Sequence, residues 1–148
     1  METSEYILQY LRDAKIMQLA TVKDNKPWIC TVHYVADEMA NIYWLSLPSR
    51  RHSQEIAQNS YTAAAIAVKV DMPVIGIQAE GTTEIVTDID EITAVMDIYI
   101  QRHGTGKSFV DRVVQGIDNH KLYKLTPKHF QLFDEQNFPK QPPKAWVL

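Results

Sequence analysis

The stretch Ile42–Asn59, IYWLSLPSRRHSQEIAQN, decides how the rest of the chain is read. An apolar, aromatic strand ends at Ser46, and Leu47-Pro48-Ser49 turns the chain into a helix carrying Ile56 and Ala57. Arg50, Arg51 and His52 open that helix. Cations at a helix start oppose the dipole, so they are placed against helix stability. An anion at the free backbone N–H groups would offset the conflict. Arginine adds a flat, bidentate fork suited to phosphate oxygens. The plain alternative is a solvated basic turn.

Working outward, strand patterns surround this turn. Ile16–Val22 reads as a strand and Asp24-Asn25-Lys26-Pro27 as a turn. Trp28–Val35 alternates, with Trp28, Cys30, Val32 and Tyr34 on one face and Ile29, Thr31, His33 and Val35 on the other. Downstream, Tyr61–Val70 is rich in alanine and reads as a strand buried on both faces. Val74–Thr87 is a long strand in which Gly76 and Gly81 suit the bends of a small barrel. Two further strands are expected at Lys121–Thr126 and His129–Phe133.

Helices punctuate the strands. Ser4 is placed to cap one through about Asp13, and Asp88 with Glu91 to start another over about Ile89–His103. Residues 104–120 read as irregular or weakly helical, and Phe138–Leu148 as an extended Pro-rich tail. The expected architecture is mainly β: one domain over residues 1–148, a six-stranded antiparallel barrel with inserted helices, an N-terminal helix at 1–14 and a tail at 138–148. Regular βαβ alternation is missing, which argues against a doubly wound fold.

Composition narrows the partners. The 148 residues are 45% hydrophobic and 22% charged, with net charge −3, the balance of an ordinary globular domain. With a pI near 5.9, no global field recruits nucleic acid or an anionic membrane. A local cation cluster on an acidic chain favours a small phosphorylated ligand. The single cysteine, Cys30, excludes an internal disulfide and a cysteine metal cage, and its apolar strand suggests a buried, inert thiol. The acidic, amphipathic start does not resemble a signal sequence, so the expected location is cytoplasmic.

Other motifs weigh little. Gly104-Thr105-Gly106-Lys107-Ser108 resembles the end of a phosphate-binding P-loop, but Gln101 stands where that loop needs its first glycine, and a helix precedes it. The expectation there is a mobile loop. His33, His52, His103, His120 and His129 show no helical metal-site spacing, and no strained serine elbow is present. Asp88, Asp90 and Glu91 read as helix-start charges. Hard chemistry would have to come from a cofactor.

The order of hairpin Ala20–Val35, strand Ile42–Leu47, basic turn, helix, apolar strand and Ile77-Gln78-Ala79-Glu80-Gly81 resembles the pyridoxamine 5′-phosphate oxidase-like split-barrel superfamily over about Ile7–Phe133. That resemblance implies an FMN-binding homodimer with two flavin sites at the subunit interface, acting on a small organic substrate. It places Leu45 and Ser46 at the strand end, and Arg51 and His52 where the family holds the flavin phosphate with Arg-Lys. It places Cys30, Thr31, Val32 and His33 along the isoalloxazine, with Gln78 reaching the ring from the next strand.

The chain departs from the family pattern at several points. Histidine replaces lysine at 52, serine replaces threonine at 46, and Arg102-His103 lacks the Arg-x-His spacing that the named oxidases use on their substrate. The alternatives to a flavin oxidoreductase are a deazaflavin reductase and a non-catalytic flavin or haem carrier. The tail with Trp146 either covers a partner subunit's flavin or packs on its own barrel.

Overall fold

Glu2, not Ser4, starts the first helix. In the computed structural model, which describes residues 1–148, α1 spans Thr3–Asp13 and begins with a capping box between Glu2 and Glu5. Glu5 accepts a hydrogen bond from the Glu2 backbone N–H at 2.6 Å. Negative side chains at this end also suit the helix dipole, which explains why glutamate takes the place expected for serine. Ile7, Tyr10 and Leu11 bury one face.

A hairpin follows. β1 (Ile16–Lys23) turns into β2 (Lys26–His33) through Asp24 and Asn25 alone, both at positive φ, 51° and 60°. Two such residues give a turn whose twist matches the strands, so Lys26 and Pro27 already belong to β2. Then come β3 (Val35–Ala36), β4 (Ile42–Ser46), α2 (Arg51–Gln58), β5 (Tyr61–Lys69), β6 (Ile75–Ile85), α3 (Ile89–His103), α4 (Lys107–Val114), β7 (Lys121–Asp134) and β8 (Lys144–Val147).

The strands form one antiparallel sheet in the order β2-β1-β5-β6-β7-β4-β3, with β8 beside β7. It curls into a mainly β split barrel of eight strands rather than six. Two short pieces escaped the sequence pattern, β3 and β8, being too brief to show alternation. Conversely, the two strands expected over 121–133 are one, β7, which carries an irregularity opposite Glu80 and Gly81. There a Cβ on Gly81 would overlap the Thr126 carbonyl, so only glycine fits this close approach.

One core fills the barrel around Trp44, Tyr34, Phe130 and Leu125, all buried. A second lies under α3 and α4, around Tyr43, Met96, Tyr99 and Leu122. α4 replaces the irregular segment expected at 104–120. Gly104, at φ 64°, closes α3 in the left-handed conformation, and Gly106 starts α4. Lys107 is spent on Asp111 at 2.9 Å within that helix. No helix is long and apolar enough to cross a membrane. The tail packs on its own barrel, with Trp146 stacked on Phe130 at 5.4 Å.

One strand differs in kind from its sequence reading. β5 is buried on one face only: Thr62, Ala64 and Ile66 point inward, while Ala65 and Ala67 are exposed. Alanine is small enough for either setting, which is why the run looks buried throughout. Register extends this outer face across neighbouring strands. Ala20 lies opposite Ile29 and Ala63, Ala65 opposite Gln18 and Gln78, and Gly76 opposite Ala67 and Phe133. Ile29 is 59% exposed and Phe133 42%.

Candidate functional site

The site begins where β4 ends and α2 starts. Arg51 is the first residue of α2, and its guanidinium lies 3.9 Å from the centre of the Trp28 ring on β2. Its Nε donates to Glu55 Oε2 at 2.8 Å, one helical turn on. Glu55 Oε1 accepts from Thr21 Oγ1 of β1, also at 2.8 Å. The Arg51 and Thr21 hydrogen bonds hold the Glu55 carboxyl below the ordinary carboxylate range. Stacked on one face and clamped at Nε, the guanidinium leaves its two Nη groups unbonded at a half-exposed position. The sequence shows this cation but not its full clamp, because Thr21 and Trp28 lie on β1 and β2, away from the helix.

His52 follows, half-buried, with Nε2 2.8 Å from Ser46 Oγ. Burial, and then Arg50, push its pKa below the ordinary histidine value. Ser53 Oγ, in the same turn, is buried without a hydrogen-bond partner. It is sealed from solvent and therefore lies outside the anion-facing surface.

From Trp28 the edge strand β2 runs to His33, a rise of about 17 Å at roughly 3.3 Å per residue. β2 pairs only with β1, so one row of its backbone N–H and C=O groups is free to bind a ligand edge. Its far end enters a cavity of about 690 Å³ between the barrel and the α3–α4 pair. Thr31, Val32 and His33 line one side and Leu45 of β4 another; Lys15, Ile16, Tyr99, His103, Thr105, Phe109 and His120 complete it.

The structure thus sorts the residues that the sequence singles out. Thr31, Val32, His33 and Leu45 line the cavity. Ser46, Arg51 and His52 sit together at the strand-to-helix turn. Cys30 packs half-buried against the barrel core opposite Leu19, and burial raises its thiol pKa. Gln78 is not in this cavity: it is exposed on the outer face of β6, between Ala65 and Gln131.

His103 and His120 are functional candidates that the sequence does not single out. His103 Nε2 lies 2.8 Å from the Tyr34 carbonyl oxygen, which fixes a proton there. Its ring is 5.3 Å from that of His33. Burial lowers its pKa, and His33, Lys15 and Arg102 push the same way. His120 Nδ1 is 2.6 Å from Asp118 Oδ1, which also accepts the His120 backbone N–H at 2.8 Å. The Asp118-x-His120 spacing was the one available sequence signal.

These arrangements place a clamped arginine and a hydroxyl–imidazole pair at one end of an open strand edge, and an aromatic, imidazole-rich cavity at the other. The family model described as pyridoxamine 5′-phosphate oxidase matches residues 3–134. The chain belongs to that family. Among solved structures it is similar to General Stress Protein 26 from Bacillus anthracis, with TM-score 0.74 and 17% identity over 100% of both chains. It is similar to a heme binding protein from Mycobacterium smegmatis, with TM-score 0.80 and 14% identity over 99% of this chain and 58% of that one. A NimC/NimA family protein from Clostridium acetobutylicum aligns with TM-score 0.70 and 12% identity, over 98% of this chain and 92% of that one. No curated protein sequence matches it.

Proposed function

We propose that the chain binds FMN and carries out flavin-dependent oxidation or reduction of a small organic substrate. The observation that carries this reading is the Arg51 guanidinium, clamped by Glu55 and Trp28 with both Nη groups free, at the head of the open β2 edge. Arg51, His52 and Ser46 would hold the phosphate. The backbone of Thr31–His33 would meet the polar edge of the ring, and Leu45 would pack on its plane. Bound flavin would supply hydride chemistry, which none of these side chains offers alone.

A second copy of the chain is the proposed partner. Sheets that face water normally carry polar residues outward, and here the outer face sets Ile29, Ala63, Ala65, Ala67 and Phe133 among Gln18, Gln78, Glu80 and Gln131. The small side chains of Ala63, Ala65 and Ala67 let another sheet approach closely. Two-fold pairing would cover it and yield two equivalent sites. Gln78, on that face, would then reach toward the other subunit's site rather than its own.

Denaturing the purified protein and identifying the released ligand by mass spectrometry tests the cofactor. FMN is expected; deazaflavin, haem or no ligand would each overturn it. Reduction of the bound flavin by NAD(P)H, followed by reoxidation with an organic acceptor, would separate an enzyme from a carrier.

A further inference from the structure

We propose that the imidazole-rich end of the cavity is a subsite for a planar organic carboxylate, held by His120 and Lys15 between aromatic walls. The proposal names a substrate class for the FMN reading above and rests on it. The chain carries net charge −3, yet apart from Tyr99 the ionisable side chains lining this cavity are Lys15, His33, His103 and His120, all bases. No carboxylate lines it. A cavity lined against the sign of the whole protein selects for an anion.

The histidines are arranged for this task. Asp118 fixes the proton on His120 Nδ1, and His120 Nε2 has no protein partner. That nitrogen donates to an anion once the ring is protonated, with Asp118 stabilising the imidazolium. His103 is different, because its Nε2 is spent on Tyr34 and its surroundings favour the neutral ring. The cations that disfavour its charge are offset when a carboxylate arrives.

The walls set the ligand's shape. Phe109 meets His120 edge-on at 5.7 Å, and Tyr99 lies 5.3 Å from His103. Tyr99 spends its hydroxyl on the Tyr43 carbonyl at 3.4 Å. Aromatic surfaces set among basic side chains fit an aromatic or heteroaromatic acid. Asp118, on its own loop, is bonded to His120 and also feels Arg112 of α4, while His103 of α3, His33 of β2 and Lys15 before β1 line the same cavity.

Benzoate and benzamide, matched in shape but not in charge, test the proposal on FMN-loaded and FMN-free protein by calorimetry. At about pH 6 benzoate should bind at least about 10-fold more tightly, the loss expected for one charge-assisted contact. The margin should narrow as pH rises through the histidine range. His120→Gln should remove most of the margin and its pH dependence, and Lys15→Gln part of the margin. In the intact protein, benzoate but not benzamide should perturb the His120 ring resonances in NMR, a readout independent of any variant's folding. Equal binding of the two probes, or an undiminished margin in His120→Gln, would overturn the subsite. FMN binding without benzoate preference rejects the subsite alone. Benzoate preference without FMN binding rejects the flavin reading and leaves an anion site.

Discussion

The two ends of the β2 edge are built by different means. At the Arg51 end the ligand-facing groups are neighbours in sequence, and one turn delivers Arg51, His52 and Ser46 to the same place. At the cavity end His33, His103 and His120 come from β2, α3 and the segment before β7, and only closure of the sheet brings them together. Local chemistry therefore announces itself in sequence, whereas chemistry assembled across elements does not. The difference extends to charge: the Arg51 end holds a permanent guanidinium cation, while the cavity end combines three imidazoles with Lys15.

Breaking the permanent cation should have the largest effect. Arg51→Ala should weaken FMN binding about 10–150-fold, the range for losing a bidentate charge-assisted contact. Because Arg51 also neutralises Glu55, the single variant should lower the melting temperature of the FMN-free protein. Arg51→Ala/Glu55→Gln should recover that stability without recovering FMN affinity. Calorimetry of both variants checks this, and a double variant that regains affinity would show that Arg51 merely balances Glu55.

The clamp comes next in size. Glu55→Gln retains Arg51 but loses the ion pair that fixes its plane, so FMN affinity should fall by only a few-fold. The smallest effect belongs to His52. Its pKa in the free protein is lowered, and a phosphate beside it would raise it. Binding therefore takes up a proton between the two values, and affinity rises as pH falls through the pKa of the complex. Below about pH 6 the ligand phosphate itself becomes protonated and the gain ends. His52→Lys should flatten the profile above that point; an unchanged profile would assign the dependence elsewhere. In the FMN-free protein the sign is opposite: a lowered histidine pKa stabilises the fold above the unfolded value and loses that contribution as pH falls through it.

The same contrast explains what the sequence revealed of the fold. The barrel, the β1–β2 hairpin, α2 and α3 were legible because each repeats a local period or carries a turn signal. β5 reads as buried on both faces because alanine does not report which side meets water. β7 looked like two strands because Thr126-Pro127 interrupts the pattern, although Pro127 still pairs with Gly81. Of the site, the Arg51 turn was legible. The Thr21 and Trp28 contacts that complete its clamp were not, since contacts across elements leave no period to read.

On this reading the phosphate cradle and the alanine-rich outer face serve one assembly, a dimer with a flavin in each site. Native mass spectrometry of the protein saturated with FMN tests it most directly. A species near 34 kDa, twice the 17.0 kDa chain, plus two FMN is expected. A monomer that binds FMN tightly, or a dimer that binds none, would contradict it.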